Sequence, residues 1–144
     1  MYKKSLQDSV RTPDYILEWI IKTFPGDVYD PVPWNPIFDP LVDKDALTTE
    51  WGEVSFANVP FSQAKRFVKK GFEQYKKNKT IILLVKTSVL STLYFPNYVG
   101  CEIVHFPGRV VFPGHSVAPR FGVCLLIYRA GETSSKYSFF KPIP

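Results

Sequence analysis

The sequence predicts one α/β domain, in which helices pack on a mostly parallel sheet that has an antiparallel hairpin at one end. The length of 144 residues suits a single core. Helical and strand-like apolar patterns alternate along the chain, as they do in α/β proteins. The clearest strand, residues 80–85, is continuously apolar, which is typical of a parallel strand buried on both faces. We expect a loose arm over residues 1–11, the domain over 12–129 and a tail over 130–144.

Composition and charge limit the classes of function. The chain is 45% hydrophobic and 16% aromatic, so it is globular rather than disordered. No apolar run approaches the ~20 residues of a membrane helix, and the start Met1-Tyr2-Lys3-Lys4 is unlike a signal peptide. We therefore expect a cytoplasmic protein with no membrane partner, in the host cytoplasm if the gene is viral. A net charge of +5 is compatible with a nucleic-acid partner, although many basic proteins bind none.

The cysteines and histidines indicate no metal site. Cys101 and Cys124 lie in strand-like apolar runs, where two buried free thiols are expected rather than a disulfide. Neither has a second cysteine or a histidine at metal-ligand spacing. His105 and His115 are isolated in the sequence, and we expect both to be structural.

Two helices are predicted from capping residues and apolar spacing. Thr12 is the expected N-cap of the first, with Pro13 at its first position, and its apolar face consists of Ile16, Trp19, Ile20 and Phe24. The second spans about residues 63–77, with Ser62 as its cap. Its exposed face is basic and includes Lys65 and Lys69. That face is either a solvated surface or one that contacts phosphates.

Several shorter segments have strand patterns. Residues 27–30 suggest a first strand, 54–57 a second, and 101–106 another. Residues 110–112 and 122–128, joined by a loop, suggest the antiparallel hairpin at the sheet edge. The polar and then aromatic segment beyond residue 130 has no pattern that assigns it.

The segment Asn58-Val59-Pro60-Phe61 is the most suggestive of chemistry. It follows the predicted strand 54–57, at the carboxyl edge where open α/β sheets bind ligands. It offers an amide side chain, a strand-end carbonyl and a flat aromatic face, a set that suits a planar amine such as adenine. The alternative is an Asn-x-Pro turn with Phe61 packed in the core.

A second candidate element is the proline-rich stretch after Asp30. Residues 31–40 contain four prolines, which fix a stiff loop that is neither helix nor strand. The loop carries Trp34, Asn35 and Asp39, so it suggests an element that lines a ligand site. A plain linker is the alternative.

These features resemble, in order and over most of the chain, the small phage-type DNA adenine-N6 methyltransferases. The segments that carry the resemblance are Thr12-Pro13, Asp30-Pro31-Val32-Pro33-Trp34-Asn35-Pro36, Asp45-Ala46-Leu47, Trp51-Gly52, Asn58-Val59-Pro60-Phe61-Ser62, Leu83-Leu84-Val85 and Gly108-Arg109-Val110-Val111-Phe112. Each segment is weak alone, but their order and spacing make the set specific. The resemblance implies a Rossmann-like methyltransferase sandwich.

The implied activity is transfer of a methyl group from S-adenosylmethionine to the exocyclic N6 amine of adenine in double-stranded DNA. The Asn58 side-chain oxygen and the Val59 carbonyl would accept hydrogen bonds from that amine and orient it. Phe61 would stack on an adenine flipped out of the duplex, and Pro60 would keep the turn rigid.

The resemblance also implies binding residues. It places Thr12, Pro13, Asp30 and Pro31 around the cofactor, with Asp30 at its amino-acid end, and makes Asp45 a candidate for its adenine edge. Candidates for DNA phosphate contacts are Lys65, Lys69 and Arg109; for Arg109 a structural salt bridge is the equal alternative.

The chain departs from the family pattern at three places. Val59 replaces the first proline of the usual Asn-Pro-Pro-Tyr or Asn-Pro-Pro-Phe motif, although valine still supplies the carbonyl. Lys86 stands where the family tends to have proline, and there is no Gly-x-Gly cofactor loop. The alternative function is therefore a catalytically degenerate relative that acts as a nucleic-acid-binding or structural module.

Overall fold

A computed structural model describes residues 11–33, 45–92 and 100–142 of the chain. Its helices are α1 (Asp14–Thr23) and α2 (Ala64–Lys76). Its strands are β1 (Val54–Asn58), β2 (Thr80–Lys86), β3 (Cys101–His105), β4 (Val123–Tyr128) and β5 (Lys136–Phe139). Short 3₁₀ helices at Phe61–Gln63 and Thr87–Ser91 follow β1 and β2. The class is therefore α/β, as predicted.

The five strands form one mixed sheet in the order β1-β2-β4-β3-β5. β1 runs parallel to β2 and β3 parallel to β5, whereas β4 is antiparallel to both β2 and β3. The prediction of a mostly parallel sheet with an antiparallel hairpin at one end is wrong in this respect. β4 takes the central position, where neighbouring strands cover both of its edges, and every one of its residues is buried.

These pairings place the carboxyl ends of four strands at one edge of the sheet. Because β1, β2, β3 and β5 share a direction, their last residues, Asn58, Lys86, His105 and Phe139, all point to that side. We call it the carboxyl edge. In open α/β sheets this is the side at which ligands bind.

A helix covers each face of the sheet. Side chains of α2 pack on one face with alternate strand residues, among them Phe67, Val68, Ile81, Leu83, Val85, Cys101, Ile103 and Leu126. Side chains of α1 pack on the other, among them Ile16, Ile20, Ile82, Leu84, Val104, Leu125 and Ile127. The alternation follows from the two-residue period of a strand. The predicted apolar face of the first helix is confirmed at Ile16, Ile20 and Phe24.

The predicted helix caps are wrong. Pro13 itself is the N-cap of α1, because its extended backbone (ψ 143°) delays the helix to Asp14, and no side chain caps the end. The Pro13 carbonyl accepts hydrogen bonds from the amides of Ile16 and Leu17. Ser62 lies within the 3₁₀ helix, and Gln63 is the N-cap of α2.

Three strand assignments also differ from expectation. Residues 110–112 form no strand; Val110 and Phe112 instead insert into the core beneath α1. Residues 27–30 make a single parallel bridge, between Tyr29 and Ser55. The unassigned segment after residue 130 supplies β5, which pairs with β3. No residue of that strand is buried, and its exposed residues include Tyr137 and Phe139, so it has no buried apolar run to reveal it.

The prediction of buried free thiols is confirmed at Cys101 and Cys124. In the described part of the chain, no helix is long and apolar enough to cross a membrane. No group of three or more histidine, cysteine or acidic residues among the described residues could hold a metal ion. The predictions for the arm over residues 1–10 and for Trp34, Asn35 and Asp39 lie outside the described residues.

Candidate functional site

The Asn58-Val59-Pro60-Phe61 segment lies at the carboxyl edge, as predicted. Asn58 is the last residue of β1 and is paired in register with Leu84 of β2. The Val59 amide continues the ladder by donating to the Leu84 carbonyl oxygen at 3.1 Å. The Pro60 carbonyl then accepts from the Gln63 amide at 2.8 Å, which closes the 3₁₀ turn that carries Phe61. The segment is thus fixed by backbone bonds on both sides of Pro60.

The Phe61 ring belongs to an aromatic cluster at this edge. Its centroid lies 4.9 Å from that of Phe121 and 6.3 Å from that of Phe112, both in edge-to-face geometry. Phe112 is buried, whereas Phe61 and Phe121 are half-buried. The ring therefore packs on the core, as in the structural alternative, and still has solvent-accessible surface.

A cleft of about 210 Å³ opens beside the segment. Its walls come from the turn after β1, the end of β2 and the following 3₁₀ helix: Val59, Phe61, Ala64, Val85, Lys86, Ser88 and Val89. Typical small-molecule sites have volumes of about 300–1,000 Å³, so this cleft suits part of a ligand, such as one planar ring system. No carboxylate is among the described residues that line it.

Lys86 is a site residue that the sequence analysis noted only as a departure from the family pattern. Its Nζ lies 4.2 Å from the Phe121 ring centroid and 5.1 Å from that of Phe61, so the ammonium covers both rings. Like Asn58, Lys86 is a polar residue at the carboxyl end of a buried strand, and this sequence signal could have identified it.

Asp30 lies beside the free edge of β1. The preceding residue, Tyr29, donates its amide to Val54 at 2.8 Å and accepts from Phe56 at 2.9 Å, so this segment runs parallel to β1. The Asp30 Oδ1 atom accepts the Val32 amide at 2.9 Å, and the residue is exposed. Pro31 is buried. The carboxylate is thus held in a turn at the edge.

Asp45 is a buried carboxylate with one unused oxygen. Its Oδ1 accepts the Leu47 amide at 2.9 Å, whereas its Oδ2 has no hydrogen-bond partner among the described residues. Asp45 is only 6% exposed. A buried acceptor without a donor is costly, so a donor from a bound ligand fits this position.

The segments that carry Asp30 and Asp45 are neighbours. A Cβ on Gly52 would stand 2.8 Å from the Tyr29 Cβ, and this close approach requires glycine. Gly52 follows Trp51, whose Nε1 donates to the Ala46 carbonyl at 2.9 Å and fixes the turn that begins at Asp45. Thr12 and Pro13 are elsewhere, at the start of α1 on the opposite face of the sheet from Ala46 and Trp51.

A basic groove of about 350 Å³ runs along α2, which begins directly after the motif. It is lined by Leu47, Lys65, Arg66, Lys69, Lys70 and Glu73. Lys65 and Lys69, the two predicted phosphate contacts on this helix, therefore share one concave surface. Leu47 links the groove to Asp45 through its amide.

Lysines at the far end of α2 have structural roles instead. Lys77 and Lys79 both form ion pairs with Glu50, and these contacts lower the pKa of that carboxyl to about 2. Lys79 Nζ also donates to the Gln74 side chain and to the Trp51 carbonyl. These lysines anchor residues 50–51 to α2.

Arg109 is exposed, on the loop that brings Phe112 and Phe121 to Phe61. Its Nη1 donates to the Pro119 carbonyl at 3.2 Å, a contact that ties the two ends of this loop together. The structural alternative considered for Arg109 was a salt bridge; among the described ion pairs the arginine is Arg129, not Arg109. The contact with Pro119 uses only part of the guanidinium.

Comparison with known families gives one clear result. The model of the family described as DNA N-6-adenine-methyltransferase (Dam) matches residues 2–120. Comparison with curated proteins and with solved structures finds no significant match. The matched span contains the motif after β1, the basic groove and Arg109, and it ends before β4. Because it covers well over half of the chain, this protein belongs to the DNA N-6-adenine-methyltransferase (Dam) family.

Proposed function

We propose that the protein transfers a methyl group from S-adenosylmethionine to the exocyclic N6 amine of adenine in double-stranded DNA. Family membership supports a methyltransferase that acts on DNA adenine. The observation that carries the proposal is the position of Asn58 and Val59, which end β1 at the carboxyl edge, next to a cleft with an aromatic wall. Each group that the reaction needs from this segment is present.

In the proposed reaction, the protein holds the target amine rather than deprotonating it. The lone pair of the amine is delocalised into the adenine ring, so hydrogen bonds from its two N–H groups must bring the nitrogen toward tetrahedral geometry. The Asn58 side-chain oxygen and the Val59 carbonyl are the acceptors we assign. The bond between the Val59 amide and Leu84 fixes that carbonyl before substrate arrives.

Phe61 is the surface on which the adenine stacks. An adenine within a duplex is paired through its N6 amine, so the base must leave the helix before it can react. A half-buried ring supported by Phe112 and Phe121 offers a rigid apolar face at the required place. Base–aromatic stacking contributes about 1–3 kcal/mol, which offsets part of the cost of flipping.

The residues present fit S-adenosylmethionine, which supplies the methyl group on a sulfonium centre. The unused Asp45 Oδ2 suits a donor such as the amine of the cofactor's adenine. The exposed Asp30 carboxylate suits the ammonium of its amino-acid end. Tyr29 and Gly52 hold the two segments together. Thr12 and Pro13, which lie across the sheet from Ala46 and Trp51, and the buried Pro31 are proposed cofactor contacts from the family resemblance alone.

Double-stranded DNA is the proposed partner of the basic groove. Lys65 and Lys69 lie along a helix that begins at the motif, so phosphates bound there would place the duplex against the cleft. Arg109, exposed on the loop that brings Phe112 and Phe121 to Phe61, is the third proposed phosphate contact. These contacts position the duplex without reading its sequence.

The parallel β1-α2-β2 unit, with its site at the carboxyl edge, supports the Rossmann-like methyltransferase fold over residues 12–129 as part of the same proposal. Phage origin, which the family resemblance suggests, and a cytoplasmic location, which the sequence features suggest, stay predictions.

Calorimetric titration with S-adenosylmethionine tests the cofactor site. We expect wild-type binding to weaken at least tenfold in Asp30→Ala and in Asp45→Asn. Asp27→Asn, an exposed carboxylate on the same segment as Asp30, is the matched control and retains wild-type affinity. No binding at millimolar cofactor would contradict the proposal, and DNA binding that persists in that case would favour the non-catalytic module.

A further inference from the structure

We infer that Lys86 is a positioning residue for DNA: its ammonium leaves the Phe61 and Phe121 rings and binds a phosphate next to the flipped adenine. This inference rests on the proposed function for the identity of the flipped base. Lys86 is the last residue of β2, and its side chain lines the cleft beside Val59 and Phe61. Among the described residues of that lining it is the only cation.

Lys86 has no anionic partner in the described part of the structure. The described ion pairs use Lys77, Lys79 and Arg129. The Lys86 ammonium instead rests on two aromatic faces, at 4.2 Å and 5.1 Å from their centroids. A cation–π contact at a partly exposed site is weaker than a charge-assisted hydrogen bond to an anion. A phosphate within reach would therefore capture the ammonium.

The Lys86 ammonium also occupies the space that the proposed flipped base would need. In the free protein the ammonium lies over the Phe61 ring, on which the proposed flipped base would stack. Base and ammonium cannot occupy the same face of the ring. The flexible four-carbon stem of lysine lets the charge move away while its backbone stays in β2. When the Lys86 ammonium moves to a phosphate, the same movement therefore exposes the face of the Phe61 ring.

The salt dependence of DNA binding tests this inference, because each phosphate contact contributes about −0.9 to the slope of log K against log salt. The probe is a labelled duplex of mixed sequence, titrated without cofactor. Lys86→Met keeps a flexible side chain against the two rings and removes only the charge. We expect the slope of this variant to be less steep by about 0.9, the contribution of one phosphate contact. Its affinity for the duplex at low salt should fall about tenfold. Lys86→Arg keeps the charge and retains the wild-type slope.

Lys76 provides a matched control, because its Nζ lies 5.2 Å from the Phe72 ring centroid in the same kind of contact. It stands at the end of α2 opposite the motif, so Lys76→Met should leave the slope unchanged. An unchanged slope in Lys86→Met, or an equal change in both variants, would overturn the inference. If wild type shows the Lys86-dependent slope but transfers no methyl group, the proposed function fails and the Lys86 contact stands.

Discussion

The amide of Val59 donates a hydrogen bond to the carbonyl oxygen of Leu84, with a nitrogen–oxygen distance of 3.1 Å. The usual family motif has proline at this position and no such donor. Valine introduces an extra N–H, and the neighbouring strand accepts it, so β1 is extended by one bond toward the cleft. This backbone hydrogen bond restrains the peptide group between Asn58 and Val59, at the position where the usual motif has the ring of proline.

The Val59 side chain and its carbonyl have separable roles. Val59→Ala removes two buried methyl groups, since the residue is 2% exposed, so we expect the free energy of unfolding to fall by about 1–2 kcal/mol. The carbonyl and the bond to Leu84 remain, and the methyl-transfer rate of folded protein should stay within twofold of wild type. Urea unfolding and a rate measured under native conditions check the two effects. A tenfold loss of rate in folded protein would contradict a purely backbone role.

Phe61→Leu should impair the use of DNA more than it impairs folding. Loss of the aromatic face removes about 1–3 kcal/mol of base stacking, so kcat/KM for DNA should fall by about 5- to 150-fold. Phe61→Tyr keeps that face and matches the tyrosine form of the family motif, so it should retain activity. Phe72→Leu is the control, because Phe72 packs on Tyr128 far from the cleft and should affect stability alone. Equal losses of kcat/KM in both leucine variants would argue against stacking on Phe61.

Gly100 is a position where the fold requires glycine. Its φ is +78°, and a Cβ there would meet the Glu132 carbonyl oxygen at 2.7 Å. Gly100→Ala should therefore lower the free energy of unfolding by about 2–5 kcal/mol, from backbone strain and overpacking together. Gly114 has a similar φ of +87° but open space around it, so Gly114→Ala should cost only about 1–2 kcal/mol. Thermal unfolding of both variants checks the difference, and equal costs would rule out the contact with Glu132.

The two buried thiols make the folded protein less stable at alkaline pH. Burial raises the pKa of Cys101 and of Cys124 to about 12, from an unfolded value near 9. Below pH 9 both states keep the protons, whereas above it the unfolded thiols ionise first, so stability falls between about pH 9 and 12. At pH 10 the loss is about 1.4 kcal/mol for each thiol. Urea midpoints at pH 8 and pH 10 measure this decrease.

The double variant Cys101→Ala, Cys124→Ala is the control for this pH effect. It removes both thiols and leaves Tyr128, whose pKa burial also raises, in place. We expect a smaller decrease in stability between pH 8 and pH 10 than in wild type. The same decrease in both proteins would assign the effect to the tyrosines.

Local patterns were sufficient where one segment determines its own structure. The continuous apolar run of β2, the apolar face of α1 and the turn after Asn58 were all read from the sequence. Local patterns did not predict the features that depend on contacts between distant segments. β4 lies between β2 and β3 because both partners bury it, although its sequence neighbours suggested an edge hairpin. β5 forms because β3 offers it a free edge, not because its own residues are apolar.

The same distinction applies to the candidate site. The strand-end rule located Asn58, and helical spacing located Lys65 and Lys69 on one surface. The support of Phe61 by Phe112 and Phe121 depends on a loop that returns from 50 to 60 residues later in the chain, which no local pattern records. The position of Lys86 over those rings follows from the same tertiary contact.

The most direct test of the central claim is methyl transfer by wild type and by Asn58→Ala. Labelled S-adenosylmethionine is incubated with unmethylated double-stranded DNA, and the DNA is hydrolysed to nucleosides to identify the product. We expect label in N6-methyladenine with wild type, and a rate lower by about 10²–10³ with Asn58→Ala, because one preorganised hydrogen-bonding group is lost. Equal rates in the two proteins, or label on a base other than adenine, would contradict the account.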